Sequence, residues 1–177
     1  GMPASQTEAN GDLPVHSMAS LRHGERVSRY SRSADLGRWK DLKVRPGDLL
    51  VGIGGTELGE CYVVRDDDAP FVPGQQVAII RLGEPPAVDP WFLAAWFDSR
   101  QGRHQVDGLI RSTVVPRVSI EDLSKVSIPV PDAGSQDGVA QRYRAFEDVI
   151  HAHRAVVRGT QQLKEVELTL AFSDTGD

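Results

Sequence analysis

The sequence predicts an α+β chain: a twisted, mostly antiparallel sheet domain followed by a long C-terminal helix of coiled-coil character. Three observations predict it. Short runs rich in Val, Ile and Leu (residues 49–53, 60–64 and 75–82) alternate with Gly- and Pro-rich turns, the pattern of strands joined by tight connections. Asp89 followed by Pro90 opens an aromatic helix. Residues 136–172 repeat apolar side chains at steps of three and four. The expected organisation is a loose segment over residues 1–19, a globular domain over 20–132, a helix over 136–172 and a short tail over 173–177.

Taken in order, residues 1–19 are polar, with few large apolar side chains, and are expected to be disordered or loosely attached. Gly1, ahead of Met2, reads as a residue left by cleavage of an expression tag. Residues 21–40 are rich in Arg and Ser with Val27, Tyr30 and Trp39 interleaved, and read as a strand–loop segment. The Pro46-Gly47-Asp48 turn leads into the strand at 49–53, and the glycine-rich residues 52–59 form a hairpin loop to the next strand. Trp91, Phe92, Trp96 and Phe97 of the Asp89-capped helix are core, and Gly102 is expected to end that helix before a polar link. Ser119, followed by Asp122, signals a second helix start, and residues 126–128 read as a short strand stopped by Pro129 and Pro131. Beyond them Val139, Tyr143, Phe146, Ile150 and Val157 form an apolar seam that resumes, one residue out of phase, as Leu163, Val166 and Leu170. A bend near Gly159 is expected from that slip.

Composition excludes several functions. The single cysteine, Cys61, rules out an internal disulfide framework and a multi-cysteine zinc site. No apolar run approaches the roughly 18 residues of a membrane span, so no membrane association and a cytoplasmic location are expected. The glycine loop is followed by a strand rather than a helix and lacks a Lys-Ser or Lys-Thr pair, so neither a nucleotide nor any other cofactor is expected. Asp66-Asp67-Asp68 lacks the alternating spacing of a calcium loop, and His151 and His153 fall on different helix faces, so no metal site is expected. Residues 84–87, Glu-Pro-Pro-Ala, lack both ends of the Asn- or Asp-Pro-Pro-aromatic turn of an adenine N6-methyltransferase, and catalysis is not expected.

The formal net charge of −5 is unevenly spread. Residues 22–45 hold eight cations against three carboxylates, and residues 100–117 hold four against one. A polarised chain of this kind suits a protein that meets phosphate on one side.

The run Ile128-Pro129-Val130-Pro131, the Gln136 that heads the long helix, and Leu42-Lys43-Val44-Arg45-Pro46-Gly47-Asp48-Leu49-Leu50-Val51 resemble the target recognition domains of DNA-specificity subunits from type I restriction–modification systems. The equivalent C-terminal domain of N6-adenine DNA methyltransferases is similar in the same way. The resemblance covers residues 42–172, with Ser135 standing where the family carries an acidic residue. It implies a non-catalytic module that reads a half-site in double-stranded DNA for a methyltransferase subunit, and that pairs through its helix with a second specificity half or a second copy. The DNA-facing residues are then Arg26, Arg29, Tyr30, Arg32, Arg38 and Lys40 in the first basic cluster, with Arg103, Arg111, Ser112, Thr113 and Arg117 in the second. The pairing face is Val139, Tyr143, Phe146, Ile150, Val157, Leu163, Val166 and Leu170. The competing reading is a protein-interaction and dimerisation module that does not bind DNA.

Overall fold

The computed structural model describes residues 2, 11–24, 27, 29–31, 42–68, 70–111 and 115–173. Its elements are β1 (Leu13–His16), α1 (Met18–His23), β2 (Tyr30–Ser31), β3 (Leu49–Gly52), β4 (Cys61–Val63), β5 (Val72–Pro73), β6 (Val77–Ile80), α2 (Pro90–Asp98), α3 (Arg100–Asp107), α4 (Ile120–Leu123) and α5 (Ala133–Ser173). Residues 1–143 form one compact unit and residues 144–177 another.

The α+β class is as expected. β3 is the centre of the larger sheet, antiparallel to β4 on one side and to β6 on the other. Successive side chains of a strand point to opposite faces. Leu49 and Val51 therefore pack with Phe97, Leu93 and Val106 of the helices. Leu50 packs the other way, with Met18, Tyr62 and Phe71. All three are fully buried, which is why the strand reads as a continuous apolar run rather than an alternating one. The smaller sheet has the order β2-β1-β5, with β1 antiparallel to β2 and parallel to β5.

Local chemistry sets the helix ends. The Asp89 carboxylate accepts the Trp91 and Phe92 N–H groups at 2.7 and 3.2 Å, and Pro90 occupies the first turn, where no donor is needed. Ser119 Oγ accepts the Asp122 N–H at 3.0 Å and starts α4. Asp132 accepts the Ser135 N–H at 3.1 Å and the Ser135 hydroxyl at 2.7 Å, so α5 begins at Ala133, three residues before Gln136. That capping pair also holds the Asp132 carboxyl below its usual range.

Three expectations are corrected. Residues 11–19, expected to be loose, carry β1 and the start of α1, and Leu13, Val15 and Met18 are buried. The sparse apolar residues are those that face the sheet. Gly102 does not end a helix: Ser99 caps α3, and Gly102 lies inside it. A Cβ at Gly102 would sit 2.1 Å from the Trp96 carbonyl oxygen, so the glycine serves close backbone approach, not termination. Residues 126–128 form no strand. The Gln105 amide takes the place of a neighbouring strand, donating to Ser127 O at 3.0 Å and accepting the Ser127 N–H at 3.1 Å.

Gln136 explains the start of the long helix. It is 8% exposed, its Oε1 accepts the Asp89 N–H at 3.2 Å, and its Nε2 donates to Pro131 O at 3.0 Å. One side chain thus ties the head of α5 to the cap of α2. Replacing it with leucine strands a backbone donor and an acceptor, so Gln136→Leu is expected to lower stability by about 2 kcal/mol in urea titration. A change below about 0.5 kcal/mol would show that water substitutes freely there.

Candidate nucleic-acid interface

Beyond the end of β3 the chain runs between two neighbours. On one side the Ile53 N–H donates to Gln76 O at 2.9 Å. On the other, the Val118 N–H donates to Ile53 O at 2.9 Å, the Gly55 N–H donates to Pro116 O at 3.2 Å, and Gly54 and Arg117 form an antiparallel bridge. The glycine hairpin, the β5–β6 turn and the segment around Arg117 are therefore adjacent along one edge. Gly55 has φ +79°, and a Cβ there would lie 2.9 Å from Gln76 Oε1 and 3.7 Å from Glu57 Oε2, so the hairpin backbone packs directly against the glutamine amide. The edge opens on a cleft of about 430 Å³ lined by Ser17, Arg29, Gly54, Glu57, Gln75 and Gln76, among others.

The candidate cations divide by what they touch. Arg22 and Arg103 are held inside the body by Asp98: Arg103 Nη2 donates to Asp98 Oδ1 at 2.7 Å, and Arg22 Nη2 donates to Asp98 Oδ2 at 3.4 Å. Tyr143 also donates its hydroxyl to Asp98 Oδ2. Arg103 Nη1 reaches Leu58 O in the hairpin at 3.4 Å. Arg103, expected to face phosphate, is instead a strut between α2, α3 and the hairpin loop. Arg111 donates to Asp122 Oδ1 at 2.7 Å yet keeps a side chain 74% exposed, so its remaining N–H groups face solvent. Hydrogen bonds from Arg111, Ser119 and Lys125 hold the buried Asp122 carboxyl well below the usual carboxylate range. Arg29 and Arg117 are exposed and have no ion-pair partner among the described residues. They flank the same edge, one through the cleft wall and the other through the Gly54 bridge.

Tyr30 lies in β2, half-buried, and pairs with Pro14. Arg26, Arg32, Arg38, Lys40, Ser112 and Thr113 lie outside the described residues. Sequence reasoning missed Gln75 and Gln76 because it placed them inside the strand run of residues 75–82, whereas β6 begins at Val77 and the pair forms the turn before it. No group of three or more His, Cys, Asp or Glu is placed to hold a metal ion among the described residues. Nor is any described helix long and apolar enough to cross a membrane.

The expected pairing face divides at the boundary of the two units. Val139 and Tyr143 are half-buried, and Tyr143 packs against the main core. Phe146, Ile150, Val157, Leu163, Val166 and Leu170 in the second unit are exposed. Helical structure continues through Gly159. Val149, Val156, Leu163 and Leu170 recur every seventh residue and are between 56% and 69% exposed. The C-terminal stripe is thus in phase with Val149 and Val156, not with Ile150 and Val157, and this removes the one-residue slip. Counting heptads backwards from Leu170 finds it in the sequence.

No protein-family model matches the sequence, and no curated protein matches it. Solved structures do match in fold. The S subunit of a type I restriction–modification system from M. genitalium aligns with 99% of this chain at 17% identity and a TM-score of 0.62. A chain from a structure describing complex assembly and conformational transition of the type I R-M system aligns with 94% at 16% identity and a TM-score of 0.57. The present chain shares the fold of these two chains, and it spans 42% and 39% of their respective lengths.

Proposed function

We propose that the chain is a DNA-reading specificity module of a type I restriction–modification system. It reads a half-site for an N6-adenine methyltransferase subunit, contributes no catalytic residue, and pairs through α5 with a second copy or a second specificity half. The observation that carries the reading is the coincidence of two exposed arginines without an ion-pair partner among the described residues, Arg29 and Arg117, with the glycine hairpin on one edge of a fold shared with a solved S subunit. Such an edge places cations for phosphate contact beside a backbone that can approach closely. Arg26, Arg32, Arg38, Lys40, Arg111, Ser112 and Thr113 complete the set proposed to meet DNA.

The test is a gel shift of the full chain, alone and with a methyltransferase subunit, on duplex DNA at about 50 mM salt. Binding is expected, and absence of binding in both arms ends the proposal. Arg29→Ala and Arg117→Ala are each expected to weaken binding uniformly across sequences and to reduce the salt slope by about 1. Arg103→Ala is expected to lower the melting temperature instead. An unchanged slope in both surface variants would leave a protein-interaction module as the better description.

A further inference from the structure

We infer that Gln75 and Gln76 read an adenine in the major groove, a role that rests on the DNA-reading proposal above. The two residues are the corner of a tight turn closed by the Val77 N–H donating to Gly74 O at 3.0 Å. Both are exposed, and neither side-chain amide has a hydrogen-bond partner among the described residues. A glutamine amide carries a donor and an acceptor on one planar head, which matches the N6 and N7 edge of adenine bidentately. Arg29 and Arg117 suit phosphate as well as guanine, whereas an uncharged amide offers little to phosphate. Of the described side chains on this edge, the two glutamines are the ones matched to adenine.

The surroundings position them for that task. Gln76 lies over Gly54 and Gly55, where an added Cβ at Gly54 would be 3.4 Å from its Cδ. With no side chain on either glycine, the hairpin backbone packs directly against the amide of a residue that stays exposed. Gln76, Gly54 and Arg117 stand on three adjacent backbones. Neighbouring strands lie about 4.8 Å apart, so Gln76 and Arg117 start roughly 10 Å from one another. A major groove is about 12 Å wide. That separation fits within the groove, and Arg29 lines the same cleft as Gln75 and Gln76.

The experiment selects duplexes from a pool randomised over about ten base pairs, using the full chain and the variants Gln75→Ala, Gln76→Ala and Gln76→Glu. The wild-type consensus is expected to contain an adenine that becomes degenerate in at least one alanine variant, with discrimination there falling by roughly 5- to 150-fold. Affinity for the unselected pool stays within about twofold, because phosphate contacts are untouched. Gln76→Glu is expected to favour cytosine at the position Gln76 reads, through its N4 donor. Retention of every consensus position in all three variants overturns the inference while leaving DNA reading intact. An equal loss on every duplex also overturns it, since that marks a phosphate contact or a damaged fold. A wild-type chain that binds no duplex, either alone or with a methyltransferase subunit, sinks the DNA-reading proposal, and this inference with it.

Discussion

Asp48→Ala is expected to destabilise the first unit by about 3 kcal/mol, roughly 10 °C in melting temperature. Asp48 is 3% exposed at the entry to β3. Its Oδ1 accepts Arg81 Nε at 2.8 Å, and its Oδ2 accepts Arg81 Nη2 at 2.6 Å and the Arg45 N–H at 2.8 Å. Arg81 Nη2 also donates to Lys43 O at 2.9 Å, so one ion pair closes the turn before β3 onto the end of β6. Truncation leaves a guanidinium without its counter-charge and a backbone donor without an acceptor. Arg81 is 30% exposed, so water recovers part of the loss, and the lower end of the range for broken buried pairs applies. Urea denaturation of Asp48→Ala, Arg81→Ala and the double variant measures it. The double variant should cost well under the sum of the singles. A single-variant loss below about 1 kcal/mol, the value typical of surface pairs, would show the bridge to be solvated.

That turn illustrates what the sequence makes legible. Pro46-Gly47-Asp48 announces a turn from residue types alone, and Asp89-Pro90 announces a helix, because caps act over three or four neighbouring residues. The glycine hairpin is legible for the same reason. Arg81 as the partner of Asp48, Asp98 as the anchor of Arg22 and Arg103, and Gln105 as a stand-in for a strand are contacts across 33, 76 and 22 residues or local breaks of period. Charge counting cannot separate an arginine held by a carboxylate from one facing solvent. It therefore grouped Arg103 with Arg117, although one is a strut and the other stands free at the edge. Residues 11–19 were misjudged because β1 is short and gains its burial from Val72 of β5 and from Met2, not from its own composition. The edge that carries Arg29 and Arg117 was half visible: its cations were, and its glutamines were not.

On the proposed pairing, Val156→Asp combined with Leu163→Asp is expected to weaken self-association by about 100-fold or more, read by sedimentation equilibrium. Each side chain is 69% exposed in the single chain, so the substitution removes apolar area that only a partner would bury. Burying one such side chain contributes roughly 1.5–3 kcal/mol, and a dimer loses it from both copies. Positions three residues before the stripe are Phe146, His153, Thr160 and Glu167. Polar residues at such positions ordinarily oppose pairing and fix its register. Two of them are satisfied within their own helix: Thr160 Oγ1 donates to Val156 O at 2.9 Å, and His153 Nδ1 lies 2.9 Å from Val149 O. Their remaining surface is a methyl group and an imidazole face, both able to lie against apolar side chains. A strict repeat of seven also winds two helices left-handed around each other. The control is Val157→Asp combined with Ile150→Asp, which alters the stripe expected from the N-terminal half of the helix. If that pair dissociates the dimer and Val156→Asp with Leu163→Asp does not, the heptad is misassigned. If the unaltered chain sediments as a monomer at high concentration, the second copy is not the partner, and the face awaits a helix from a different specificity half.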